Sequence, residues 1–370
     1  MLVGFSTTLS VKYVLFVVAA LGGGFAFERW IPANLEKWSY GLVALAAAAT
    51  VYTTFPSIFV DDTGFVIRYM NQAREGCFYC YNVSDGPVYG VSSFVYGILT
   101  IGLAALQVGS NESIIISLNF AGLCVLFYFL LLILRARISS NFVVISAAAL
   151  VVLASTRFLF SATAGLETNV HLAIVFTGLY FFYIDKRKWM WFFFSLSVIS
   201  KLDTVPLITA LSLIHLLENR TEYFGKQWLR NWKIGLLFAG VPIIAFVGIT
   251  FLLFDGPLPQ SAYAKLYHHS HPSDHWFPFL ELMFDKGNRL ALVAGSLLLA
   301  LIHLVLVLSK KAFEAKDFSL LVGFICTMGL YYIYNPVERM TWYYAMPELL
   351  LYAQMAISST VALRMLSKGD

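Results

Sequence analysis

Two adjacent carboxylates, Asp61-Asp62, follow directly on an apolar run from Tyr40 to Val60. Acids at the edge of such a run are expensive to hold near hydrocarbon, and where they occur they usually carry function. Four further polar groupings stand out. Ser161-Ala162-Thr163-Ala164-Gly165-Leu166-Glu167-Thr168 sets a carboxylate at the opening of an apolar run. Ser200-Lys201-Leu202-Asp203-Thr204 places a cation and an acid between two short apolar runs. Gly256-Pro257-Leu258-Pro259-Gln260-Ser261-Ala262-Tyr263-Ala264-Lys265 leads into His268, His269, His271, Asp274 and His275. The last grouping is Glu338-Arg339-Met340-Thr341-Trp342-Tyr343-Tyr344.

Acids and cations gathered on one face of a membrane bundle suit one chemistry well. A carboxylate takes the proton of an acceptor hydroxyl as general base. Lys and Arg stabilise the growing negative charge of a phosphate leaving group, and an Arg such as Arg339 can grip it with two hydrogen bonds. A lipid-linked phosphate needs no nucleotide-binding loop, and neither G-x-x-x-x-G-K-[ST] nor G-x-G-x-x-G occurs. Plainer readings stand beside these. Glu167 is also a favourable charge at a helix N-terminus, and Lys201 with Asp203 is also a local ion pair. The spacing of His268, His271 and His275 fits no H-E-x-x-H pattern, so a flexible histidine-rich loop competes with a metal site.

The elements that must hold these residues follow from composition. The chain of 370 residues is 59% hydrophobic and 12% charged, with mean hydropathy +0.75. Soluble domains carry about 25% charged residues. Apolar runs near the length that crosses about 30 Å of hydrocarbon recur throughout, at about 11–27, 40–60, 91–108, 112–134, 141–160, 168–184, 189–200, 204–217, 234–254, 289–309, 318–334 and 342–363. The expected fold is therefore all-α: a polytopic transmembrane helical bundle forming one domain over residues 1–370. The run 11–27 lacks the design of a cleavable signal and is expected to be an uncleaved first span.

Basic residues cluster at Arg135/Arg137, Lys186–Lys188, Arg220–Lys233, Lys310–Lys316 and Arg364/Lys368. Placing these loops in the cytoplasm turns every polar grouping above to the extracytoplasmic side. Loops of about 61–90 and 255–288 then face outward. Parity requires that 91–134 cross once, so 91–108 is expected to dip into the outer leaflet or pack without crossing. The count is roughly 11 spans. After the acid pair, Phe65, Val66, Tyr69, Met70 and Ala73 recur at helical spacing with Arg68, Asn71, Gln72 and Glu75 opposite. That pattern predicts an interfacial amphipathic helix stopped at Gly76. Cys77 and Cys80 form a C-x-x-C in a polar loop, where a disulfide and two free thiols are both open and zinc is disfavoured. Cys124 and Cys326 read as packing residues.

The order of these stretches resembles the GT-C superfamily of integral-membrane glycosyltransferases. It looks most like the bacterial branch that uses polyprenyl-phosphate sugars, such as the mycobacterial arabinofuranosyl- and mannosyltransferase-like proteins. The family pattern D-D-[AT]-[FY]-[IV]-x-x-R-Y is similar to Asp61-Asp62-Thr63-Gly64-Phe65-Val66-Ile67-Arg68-Tyr69. Glu75-Gly76 and the turn from Asn82 to Gly90 follow as in the family. S-G-[LM]-E-T is similar to Ala164-Gly165-Leu166-Glu167-Thr168, and T-R-P-[DE]-G to Ser200-Lys201-Leu202-Asp203-Thr204, with Lys for Arg and Leu for Pro. L-P-N-[TS]-x-Y-A-K is similar to Leu258 through Lys265, with Gln260 in the Asn position, and W-Y-x-x-P resembles Trp342 through Pro347, one residue longer.

The resemblance implies a GT-C-like bundle with extracytoplasmic juxtamembrane helices in the inner (plasma) membrane, its active site on the periplasmic side. It implies an inverting transfer of a sugar from a polyprenyl-phosphate donor to a glycan or glycolipid hydroxyl, in the making of a cell-envelope polysaccharide or lipopolysaccharide. Asp61 would be the base, with Asp62 orienting the acceptor or sharing that role. Lys201, Lys265 and Arg339 would meet the donor phosphate; Glu167, Asp203, Tyr263, Trp342 and Tyr343 would position sugar or acceptor. A divalent cation (Mg²⁺, Mn²⁺ or Ca²⁺) stays open; nucleic acid is not an expected partner. Two alternatives share these residues: a lipid-linked-glycan flippase in which the acids relay protons, and a ligase or polymerase moving a whole oligosaccharide from a pyrophosphate carrier.

Overall fold

The computed structural model describes residues 32, 35–55, 59–225, 228–254, 256, 259, 287–309, 314–334 and 344–367. The run 11–27, Lys265, Arg339, Tyr263, Trp342, Tyr343 and the histidines His268, His271 and His275 lie outside these residues. Fifteen α-helices carry the described chain. They are α1 Glu36–Thr54, α2 Asp61–Arg74, α3 Phe94–Ala105, α4 Asn111–Arg137, α5 Asn141–Ala154, α6 Thr156–Ala162, α7 Thr168–Tyr183 and α8 Arg187–Ser200. There follow α9 Val205–Glu218, α10 Arg220–Phe224, α11 Trp228–Gly235, α12 Val241–Phe254, α13 Gly287–Ser309, α14 Ser319–Tyr334 and α15 Ala345–Ser367. Among the described residues no strand forms, and one isolated bridge pairs Cys80 with Pro87. Among the described residues, three helical stretches are long and apolar enough to cross a membrane: Asn111–Arg137, Leu229–Phe254 and Ala345–Leu366.

Local chemistry sets the ends of these helices. Ser93, Ser110 and Ser140 each accept from a backbone N–H of the first turn, of Tyr96, Ser113 and Val143 respectively. In α4, Glu112 near the start and Arg135 and Arg137 in the last turn complement the helix dipole. Between Gly235 and Val241 the backbone makes a π-helical turn, Leu236–Gly240. Pro242 has no N–H to offer the carbonyl four residues back, which accounts for a relaxed ladder at this point.

Helices α4 and α7 form the most extensive pair, with α1 on the outer side of α4 and α8 beside α7. Their core is built from Leu123, Leu126, Phe127, Leu130, Phe176 and Leu179. At Gly122 the backbones come so close that an added Cβ would lie 2.8 Å from Val170 N. A second apolar cluster joins α2, α3, the loop after α2 and the end of α12 through Tyr69, Met70, Tyr79, Tyr89, Phe94 and Phe246.

The bundle has two chemically distinct ends. At one, Arg135 pairs with Glu36, Arg137 with Glu314 and Asp317, Arg187 with Glu222, and Lys316 with Asp185 and Glu218, while Arg364 donates to Ser139. Helix α7 runs from this end to the other, where Ser92, Glu167, Lys201 and Asp203 meet. Helix α3, 12 residues long, spans about 18 Å and is too short to cross. It packs on α2, α4 and α8, and the turn after it returns to the start of α4 at the same end, where Arg74 donates to Gly109 O and Asn111.

Two expectations need correction. The single run 141–160 is two helices, broken at Ser155, whose ψ of 67° leaves the α region while its hydroxyl bonds Val151 O. The amphipathic helix forms as α2 and is followed by Gly76 at φ 94°, but its apolar face does not meet lipid. Val66, Tyr69, Met70 and Ala73 are buried within the second cluster, because α3 supplies the apolar partner that a bilayer surface was expected to supply. The C-x-x-C is resolved as a Cys77–Cys80 disulfide.

Candidate functional site

The acid pair opens α2, with Val60 extended at its N-cap and the Thr63 N–H bonded to Val60 O at 2.9 Å. Asp61 is described through its backbone alone; Asp62 is part-buried. Thr63, fully buried, donates its hydroxyl to Ala164 O at 3.0 Å, which ties the start of α2 to the turn before α7. That turn needs glycine. Gly165 has φ 74°, and an added Cβ would fall 2.6 Å from Phe59 Cδ1. Its carbonyl accepts the Tyr96 hydroxyl at 3.0 Å, and Asn119 donates to the same hydroxyl.

The turn delivers Glu167 to the start of α7, where its own carbonyl takes the His171 N–H. The carboxylate is only 8% exposed, and one oxygen, Oε1, receives both Ser92 Oγ at 3.2 Å and Lys201 Nζ at 3.3 Å. Burial pushes the Glu167 carboxyl up, but the Lys201 ammonium, hydrogen bonds to the carboxylate and the nearby His171 together hold the group below its ordinary 4.5. Lys201 ends α8 in extended conformation, φ −158°. A 3-10 turn, Leu202–Thr204, follows, fixed by Thr204 Oγ1 donating to Ser197 O and Lys201 O. It brings Asp203 Oδ2 to 3.9 Å from Lys201 Nζ.

Beneath this group, Ser200 Oγ lies 3.3 Å from Ser93 Oγ and 3.2 Å from His171 Nδ1. Among the described residues His171 Nε2 has no hydrogen-bond partner although it is buried. Three of the stretches singled out in the sequence thus meet in space: the start of α2, the turn carrying Glu167, and Lys201–Asp203. Ser92 and His171 complete the arrangement and were not anticipated, since a single polar residue beside or within an apolar run carries no pattern; Thr63 stood in the acid-pair motif with no role assigned.

A second polar pair lies between α6 and α15. Arg157 and Glu348 are 3% and 7% exposed, with Nε 3.7 Å from Oε1. The Arg157 N–H also donates to Glu348 Oε2, and its guanidinium covers the Tyr344 ring at 4.9 Å. Val293, Phe324 and Pro347 line the same recess. A signal for this pair existed: each charge interrupts an apolar run.

Among the described residues no group of three His, Cys, Asp or Glu side chains is placed to hold a metal ion. The chemistry open to the arrangement is that of an acid-rich, part-buried site at one end of an apolar helical bundle. Such a site can accept a proton, hold a hydroxyl-bearing ligand and present one ammonium group. No known family, curated protein or solved structure matches the chain.

Proposed function

We propose that this chain is an integral-membrane glycosyltransferase. It transfers a sugar from a polyprenyl-phosphate donor to a glycan or glycolipid hydroxyl on the extracytoplasmic side, with inversion. The observation that carries the reading is the meeting of the Asp61-Asp62 helix start, Glu167 and Lys201 at the end of the bundle opposite the basic residues. Basic loops tend to mark the cytoplasmic side, and the gathering of Arg137, Arg187, Lys316 and Arg364 at the other end supports an outward-facing site. The roughly 11 spans and the GT-C architecture belong to this proposal.

In this reading Asp61 removes the proton of the acceptor hydroxyl as that oxygen attacks the anomeric carbon. The bond from that carbon to the donor phosphate oxygen breaks, and the polyprenyl phosphate leaves as an anion. Asp62 orients the acceptor. Lys265 and Arg339 meet the departing phosphate, joined by Lys201. Because Glu167 and Asp203 flank Lys201, an arriving phosphate exchanges with a carboxylate or bridges beside it, and these acids tune how strongly the ammonium is offered. Tyr263, Trp342 and Tyr343 line the sugar and acceptor.

The test is sugar transfer from a synthetic polyprenyl-phosphate sugar in detergent, comparing wild type with Asp61→Asn. Loss of a general base forfeits about 10²–10⁴-fold in rate. Full activity in the variant removes Asp61 from that role. Movement of lipid-linked glycan across proteoliposomes with no new glycosidic bond replaces the transferase reading with a flippase.

A further inference from the structure

Helix α2 has two faces, and the transfer chemistry uses only its first turn. Its buried face, Val66, Tyr69, Met70 and Ala73, packs inside the protein. The opposite face starts at the acid pair and runs through Phe65, Arg68 and Gln72, positions one helical turn apart. Phe65 is 54% exposed despite being a large aromatic residue. Its ring stacks on Tyr81, centroids 5.7 Å apart and planes 29° from parallel. Arg68 lies over the Tyr81 ring at 4.5 Å and donates to Tyr81 O and Asn82 Oδ1. Asn82 in turn donates to Asp85 Oδ2 at 2.7 Å.

We propose that this surface, formed by Phe65, Tyr81 and Arg68, is a sugar-binding platform that seats the glycan acceptor next to the acid pair. The proposal deepens the transferase reading and rests on it for the acceptor's identity. A pyranose ring presents an apolar C–H face and a rim of hydroxyls. An aromatic ring has a negative face that attracts polarised C–H groups, and here that ring is exposed, fixed by its neighbour and bordered by guanidinium, amide and carboxylate groups. Phe65 lies four residues beyond Asp61, a rise of about 6 Å along the helix. That is about one sugar ring, so a ring resting on Phe65 presents the next residue's hydroxyl to the acid pair.

The other occupant for an exposed aromatic surface is the bilayer, and the packing of α2 disfavours it. A membrane-seated helix turns its continuous apolar face to lipid and flanks it with Lys and Arg. In α2 the continuous apolar face is already inside the protein, and the exposed face is mostly polar. Arg68 has Asp85 close by, and Glu75 stands further along α2's exposed side, so the surface lacks the cationic character that draws anionic headgroups.

The experiment uses the full chain in nanodiscs of phosphatidylethanolamine and phosphatidylglycerol, with neutral gluco-, manno- and galacto-trisaccharides as probes. Binding is read by saturation-transfer NMR for wild type, Phe65→Ala and Phe65→Trp. At least one trisaccharide is expected to bind wild type, to bind Phe65→Ala about tenfold more weakly, and to recover in Phe65→Trp. Equal binding by wild type and Phe65→Ala, or no binding of any trisaccharide to wild type, overturns the proposal. So does quenching, by brominated lipid chains, of the fluorescence that Phe65→Trp adds, since that places the residue in the bilayer. The two readings separate cleanly. Phe65-dependent trisaccharide binding without transfer from any polyprenyl-phosphate sugar keeps the platform and removes the transferase. Transfer with an acceptor KM unchanged by Phe65→Ala removes the platform alone.

Discussion

Lys201 Nζ lies 3.3 Å from Glu167 Oε1, which joins the end of α8 to the start of α7 by a charge pair that is almost wholly shielded from solvent. Both side chains are at most 13% exposed. A pair in this setting contributes little net stability compared with an apolar pair of the same shape, yet breaking it strands a charge.

Lys201→Met is therefore expected to lower stability by about 3 kcal/mol or more, and Glu167→Gln by less, because Asp203 still faces the ammonium. The double variant is expected to fall well short of the sum, because neither partner is then left alone. Thermal unfolding in detergent, followed by near-ultraviolet circular dichroism, measures both. Additive losses would mean that the two side chains do not act as a pair.

Acid should weaken the same junction. Glu167 titrates in the folded chain below its ordinary 4.5, so the unfolded chain binds the proton more readily. The stabilisation is fully present above about pH 4.5 and is lost as the pH falls through the lower folded value. The expected result is a melting temperature that drops on acidification in wild type with a steeper acid limb than in Glu167→Gln. Superimposable profiles for the two proteins would show that Glu167 is not the group responsible.

Gly165→Ala tests the turn that carries Glu167. The substitution forces φ 74° on an L side chain and drives a methyl group to 2.6 Å from Phe59 Cδ1. The combined cost is about 2–4 kcal/mol. Adding Phe59→Ala relieves the collision and leaves the backbone strain, so the double variant should recover only part of the lost melting temperature. Complete recovery would assign the whole effect to the ring.

The Cys77–Cys80 bridge predicts a defined labelling pattern. In membranes prepared without reductant, neither thiol should take up a maleimide until a reducing agent is added. Closing so short a loop stabilises the fold by about 2 kcal/mol in the chain-entropy account, and Cys77→Ser/Cys80→Ser is expected to lose about that much. Labelling of both residues before reduction contradicts the bridge. Disulfides persist in oxidising compartments, so a protected pair also supports an extracytoplasmic position for the loop.

Much of this was legible in the chain because hydrophobic length is a strong signal. The helices α4, α7 and α14 fall where the apolar runs place them. Helix α2 was legible by a different signal, the helical spacing of Val66, Tyr69, Met70 and Ala73 within a polar segment, which marks a helix with one apolar side. Spacing shows that such a side exists but not what covers it, and α2 packs on protein where lipid was expected. The break at Ser155 was hidden because a serine hydroxyl that returns to its own helix leaves the composition apolar. The motifs of Glu167 and Lys201 were legible as lying at one end, but the partner expected for Lys201 was Asp203, and the closer contact with Glu167 depends on how α7 and α8 pack; Arg157 and Glu348 are partners 191 residues apart and nothing local links them.

The π turn at Leu236–Gly240 has a geometric effect beyond the loosened ladder. One surplus residue in a helix turns everything after it by about 100° about the axis. The half before the turn aligns Gly235 with Trp191 of α8, and the half after it aligns Phe246 with Phe94 and Phe254 with Tyr79 and Tyr89. A regular helix could not serve both neighbours from the same sequence. The inserted residue works as a phase shifter, and deleting one position from 236–240 would rotate Phe246 and Phe254 away from Phe94, Tyr79 and Tyr89 without changing any of these side chains.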